Sequence, residues 1–145
     1  MLATNTITAL SVLQWKDTSV GNSKTFLIPS DAGYQLLWGY VRLQAVASAG
    51  NRRIQILVTD TDATTIRYRG WNGGTAQNTA SSDYDYPVMP GSGAKDQANQ
   101  FGYNITVPVN FLLQPGWNIK VYEQLNFNVG DTLSVCFNFG KVALM

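Results

Sequence analysis

The chain of 145 residues contains no histidine and one cysteine, Cys136. Without histidine it lacks the usual general base at neutral pH and the commonest metal ligand, which excludes most nucleophilic triads and most zinc sites. A lone thiol makes no internal disulfide. Cys136 alternates with apolar neighbours, so a buried, inert side chain is expected. Charge is scarce as well: 13% of residues are charged, ten basic and nine acidic, for a net charge of +1, against about 25% charged in an ordinary soluble domain. So balanced a chain offers no phosphate-tracking stripe and no polybasic patch, and neither nucleic acid nor a membrane is an expected partner. No apolar run approaches the roughly 20 residues of a membrane helix. Met1 to Thr6 lacks a basic segment followed by an apolar one, so no secretory signal is expected.

Acid chemistry is equally thin. Glu123 is the sole glutamate, and no aspartate lies in an apolar context that would make it one half of a glycosidase pair. The close carboxylate pairs Asp60-x-Asp62 and Asp83-x-Asp85 lack the spacing and terminal glutamate of an EF-hand loop, so they read as turn-capping residues. Serines scattered through loops supply no nucleophile by themselves. The expectation is a protein that is not an enzyme and uses no metal or cofactor.

What the chain does have is strand-sized alternation, recurring from Ala9 to Val142 with no capped helical periodicity. Hydrophobic residues make up 45%, with seven Tyr, six Phe and four Trp, and the length suits one domain spanning 1–145. Residues 1–8 carry no register and read as a flexible arm. Strands are expected around Ala9 to Trp15 and Lys24 to Ile28. From Gln35 to Ala47, Leu37, Gly39, Val41, Leu43, Ala45 and Ala47 share one face, and Trp38, Tyr40, Arg42 and Gln44 the other. Ser48 to Asn51 reads as a hairpin turn into a return strand, Arg52 to Thr59, with Ile54, Ile56 and Val58 inward and Arg53 and Gln55 outward. Asp60 to Ala63 turns into Thr64 to Trp71, whose outward Arg67 and Arg69 alternate with Ile66 and Tyr68.

The alternation then collapses. Residues 72–100 are rich in Gly, Ser, Asn, Asp and Pro and read as one long loop anchored by Tyr84, Tyr86, Val88 and Met89. Phe101 to Val109 resumes the alternation, with Pro108 marking an end or an edge. Trp117, Ile119 and Val121 face together, and Leu133, Val135, Phe137 and Phe139 form the last inward row. About eight antiparallel strands with one long mid-chain loop predict an all-β fold, a jelly-roll-like β-sandwich.

Low charge and few lysines leave sheet edges without their usual protection, which favours association. The candidate interface residues are the aromatic residues Trp38, Tyr40, Trp71, Tyr84 and Tyr86, with Met89. Arg42, Arg53, Arg67 and Arg69 join them as an outward stripe on neighbouring strands that could dock an acidic protein surface. Trp71, Tyr84 and Tyr86 beside Asn and Asp would also suit sugar rings, so a carbohydrate-binding module is a second reading.

Tyr40 to Ala45 leading to Asn51 to Ile56, then Leu112 to Tyr122 with its Gln114-Pro115-Gly116-Trp117 turn, and Val129 to Val135, resemble small structural proteins of tailed bacteriophages, the capsid decoration or cement proteins. The resemblance covers about half the chain, Gln35 to Asp60 and Phe111 to Val135, and rests on strand and turn patterns; residues 72–100 have no counterpart in it. It implies a jelly-roll or related sandwich that assembles, often as a homotrimer, on the outer surface of the virion where major capsid protein subunits meet, after synthesis in the host cytoplasm. A tail or neck component of similar fold is the nearest alternative.

Overall fold

A computed structural model describes residues 12–46, 51–72, 76–77, 82–91, 96–99, 105–108, 110–123 and 130–142. The strands there are β1 (Val12–Asp17), β2 (Ser23–Leu27), β3 (Gly33–Ala45), β4 (Asn51–Arg52), β5 (Ile54–Thr59), β6 (Ile66–Asn72) and β7 (Ala76–Gln77). They continue with β8 (Ser82–Gly91), β9 (Asp96–Asn99), β10 (Ile105–Pro108), β11 (Leu112–Leu113), β12 (Asn118–Glu123) and β13 (Thr132–Val142).

The strands form a β-sandwich. One sheet runs β1-β13-β3-β8-β10, with β11 on β3; the facing sheet runs β2-β12-β5-β6-β9, and β4 and β7 make a small separate ribbon. The antiparallel pairs β5·β6, β3·β8, β2·β12 and β1·β13 are nested, so the fold is one long double-stranded ribbon wound over itself, in jelly-roll order. Its tip is the turn between β5 and β6. There the Asp60 and Thr65 backbones join, Thr65 O accepting from Asp60 N at 2.9 Å, and Asp62 Oδ1 accepts from Thr64 N at 2.9 Å and Thr65 N at 2.8 Å. Aspartate suits this position because its short carboxylate reaches amides two and three residues ahead.

The inward rows supply the core. Leu133, Val135, Phe137 and Phe139 of β13 are all buried, as are Ile54, Ile56 and Val58 of β5 and Ile119 and Val121 of β12, in agreement with the parity of the sequence. Each such side chain contributes about 1.5–3 kcal/mol when removed from water. Aromatic rings bind the two sheets together where β1 faces β2: Trp15 stacks on Phe26 at 5.2 Å, Phe26 on Phe139 at 5.6 Å, and Trp15 meets Phe137 edge-on at 5.3 Å.

Four expectations are corrected. Val41 and Ile56 belong to different sheets, so β3 and β5 do not form a hairpin; in a wound ribbon, successive strands of one arm alternate between sheets. Ala47 and the expected turn at Ser48 to Gly50 lie outside the described residues, as do the arm 1–8, Phe101 and Tyr103. Within the expected loop 72–100, β8 is a ten-residue strand paired along β3, and Tyr84, Tyr86 and Val88 form its inward row. The order is not wholly antiparallel: β10 adds to β8, and β9 to β6, in parallel. Pro108 ends β10 on the outer edge of its sheet, where a missing N–H breaks no ladder.

The last correction is Leu37. The register between β3 and β13 pairs Trp38 with Asn138 and then Leu36 with Phe139, leaving Leu37 as an extra residue. That bulge reverses the parity of β3. Gly39, Val41, Leu43 and Ala45 point inward as expected, but before the bulge the inward residues are Tyr34 and Leu36, and Leu37 turns outward, 37% exposed, over Gly140.

Candidate protein-docking face

The outward face of the first sheet gathers the exposed aromatic residues. Alternation along β3 places Trp38, Tyr40, Arg42 and Gln44 on this face, and the register aligns them with neighbours in cross-strand rows. Tyr40 lies between Cys136 of β13 and Pro87 of β8, with Lys16 of β1 beyond Cys136. Arg42 lies between Ser134 and Asp85, and Gln44 between Thr132 and Asp83. Because Gly39 pairs with Val88, Trp38 and Met89 are side by side. Trp38 is 52% exposed and Met89 44%, and Tyr40, Leu37 and Val12 of the same face are exposed too. Large apolar side chains grouped in this way form an exposed apolar patch, which makes this face the candidate for contact with another macromolecule.

Polar groups flank this strip. Arg42 donates through Nε to Asp85 Oδ1 at 2.8 Å and through Nη2 to Asp85 Oδ2 at 3.2 Å, a two-point clasp across the paired strands. The guanidinium holds the Asp85 carboxyl below the usual carboxylate range. Gln14 of β1 reaches over β13, its amide donating to Asn138 Oδ1 at 3.2 Å and lying 3.6 Å from the Cys136 sulfur. Cys136 is thus buried, as expected, but under Gln14 on the outward side and not among the inward rings. Beside this bridge the face sinks into an open depression of about 340 Å³ lined by Lys16, Thr18, Tyr40, Arg42, Gln44 and Ser134.

The remaining sequence candidates go elsewhere. Tyr86 is fully buried in the core, and Tyr84 packs against the core half-buried. Trp71 is half-buried on β6, in the other sheet, opposite Gln55. The four arginines do not form one stripe, because Arg42 belongs to the first sheet while Arg53, Arg67 and Arg69 belong to or adjoin strands of the second. Arg67 pairs with Asp60 at the ribbon tip and lies over the Trp117 ring, 5.3 Å from its centroid. Arg53 is half-buried and its Nε makes no hydrogen bond among the described residues. Gln55, expected outward, is on the outer side of β5 yet only 2% exposed.

Ligand chemistry has little to draw on here. Asp60 and Asp62 are engaged by turn amides and by Arg67, and no cluster of three or more Cys, Asp or Glu that could hold a metal occurs among the described residues. One Ser-x-x-Lys spacing, Ser92 to Lys95, falls outside them. Comparison with protein-family models, with curated proteins and with solved structures gives no match. The residue that sequence reasoning missed is Lys16. A single lysine on an alternating strand reads as a solvated side chain, and only the β1-β13-β3 order brings it opposite Tyr40 and Arg42.

Proposed function

We propose that this chain is a structural protein of the capsid decoration type, which binds an assembled shell of major capsid protein through the outward face of its first sheet. The observation that carries this reading is the grouping of Trp38, Tyr40 and Met89 as exposed neighbours on the paired strands β3 and β8. Aromatic residues and methionine at the centre with an arginine beside them make the composition of a protein-binding hot spot. A protein that binds the shell and not its free subunits shifts assembly by mass action, so no reactive side chain is required. Self-association as a homotrimer would bury sheet edges between protomers. The site of action is then the outer surface of the virion.

A tail or neck component would use the same face in the same way. The carbohydrate-binding reading, which relied on Trp71, Tyr84 and Tyr86, is weakened because Tyr86 is inside the core and contributes no platform. Mixing the purified protein with expanded, undecorated phage capsids and following sedimentation, together with its mass in solution, tests the proposal. Co-sedimentation that saturates supports it; a monomer that never co-sediments, or a saturable signal on a glycan array in its place, removes it.

A further inference from the structure

The depression beside Tyr40 is a polar concavity next to the exposed apolar side chains Trp38 and Met89. Its lining holds two cations, Lys16 and Arg42, three hydroxyls, from Thr18, Tyr40 and Ser134, and the Gln44 amide, and among the described residues it holds no carboxylate. Arg42 already shares its charge with Asp85, so Lys16 is the main positive charge this set offers to an anionic group, beside its hydroxyl and amide donors.

The backbone dictates the shape. Strands β1 and β3 flank β13, so Lys16 and Arg42 rise from lines about 10 Å apart, twice the strand spacing. Between them β13 presents Ser134, too short to fill the gap. At one end Gln14 folds over Cys136 and Asn138 and closes the trough. Asp85 fixes the plane of the Arg42 guanidinium through its two contacts. Among the described residues no carboxylate pairs with Lys16.

We infer that this depression receives a carboxylate from an acidic side chain of the protein partner, held between Lys16 and Arg42 while Tyr40 covers it on the side of the aromatic strip. The source of the carboxylate follows from the docking role proposed above: the adjoining Trp38 and Met89 are exposed and need an apolar surface that a free anion does not bring. Two cations on a chain of net charge +1 are also too few to track a phosphate backbone, whose binding comes from many neutralised phosphates. The clamp sets orientation and on-rate, and the aromatic strip supplies most of the affinity.

The test uses the full chain and needs no capsid. A hexaglutamate peptide, a hexalysine peptide, inorganic phosphate and glucuronate are titrated into labelled protein, and backbone and side-chain NMR shifts are followed. The expected result is a saturable shift of Lys16, Thr18, Tyr40, Gln44 and Ser134 with hexaglutamate, absent with hexalysine. It should disappear at about 1 M salt, where screening acts within about 3 Å. Lys16→Met should abolish the shift and Lys16→Arg retain it. Equal shifts in Lys16→Met, no shift with hexaglutamate, or tighter saturation by phosphate or glucuronate than by the peptide would each overturn the assignment. On capsids, Lys16→Glu should bind about tenfold more weakly or worse, since like charges brought together across an interface cost several kcal/mol. If the wild type fails to bind capsids while the peptide shift stands, the partner reading fails and the carboxylate site survives; the reverse pattern discards the site alone.

Discussion

The ring of Phe137 occupies the space that a Cβ on Gly39 would need. The two residues are directly paired between β13 and β3, and such a Cβ would also come within 2.9 Å of the Cys136 carbonyl oxygen. Backbone on one side and a fully buried ring on the other leave no easy relief. Gly39→Ala is expected to destabilise the fold by about 1–3 kcal/mol, the usual cost of overpacking. Urea unfolding should show a lowered midpoint with an unchanged slope.

Tyr68 gives the fold an alkaline limit. Its hydroxyl donates to the Thr106 backbone carbonyl from inside the core, and burial pushes the phenol up to about 12 from an ordinary value of 10.0. The folded chain therefore keeps a proton that the unfolded chain releases between these values. Stability from this group is fully present below pH 10.0 and is lost as pH rises towards about 12. Tyr68→Phe should remove that part of the pH dependence and cost about 0.5–1.5 kcal/mol at neutral pH. Thermal melts across the alkaline range would detect both effects.

At the acid end the aspartates act together. Hydrogen bonds from Ser19, Lys141, Arg67, Thr65 and Arg42 hold the carboxyls of Asp17, Asp31, Asp60, Asp62 and Asp85 respectively below their ordinary value of 3.8. Each releases its proton more readily in the folded chain. Their stabilisation is present above pH 3.8 and declines as pH falls below it. Asp62→Ala, which removes the acceptor for the Thr64 and Thr65 amides, should lower the melting temperature at neutral pH and lessen the further fall in acid. A melting temperature unchanged at neutral pH would show that the ribbon tip does not need its cap.

The proposed docking face separates binding from folding. Trp38→Ala and Met89→Ser change exposed positions, so each should shift stability by no more than about 0.5 kcal/mol. Each should weaken capsid binding by about 2 kcal/mol or more, roughly thirtyfold. Unfolding midpoints and co-sedimentation isotherms on the same preparations make the comparison. Loss of binding that merely follows loss of stability would count against the face.

Much of the sandwich could be read from alternation alone, because β12 and β13 bury one face against a facing sheet and show it as period-two hydrophobicity. Pairing was not legible. Ile56 after Val41 looks like the second arm of a hairpin, and nothing local says that a wound ribbon sends them to opposite sheets. Leu37 continues the apolar row of Gly39 and Val41 in sequence, but a one-residue bulge turns it outward. Strand β8 was hidden by Asp83, Asp85, Pro87 and Pro90, which signal turns; the inward Tyr84, Tyr86 and Val88 between them carried the true signal. Of the site, Trp38, Tyr40, Arg42 and Met89 were visible as outward residues, whereas Lys16 joins them only through pairing with the far end of the chain.

The place of β13 between β1 and β3 sets a condition on how the molecule is made. Gln14 and Asn138, which touch across that junction, are 124 positions apart, so a growing polypeptide emerges with β1 and β3 lacking the neighbour they share. Such widely separated partners slow the search for the native arrangement. Lys16 meets Tyr40 and Arg42 only once Thr132–Val142 have left the ribosome and slotted in, so the proposed docking face is the last part of the sandwich to be completed.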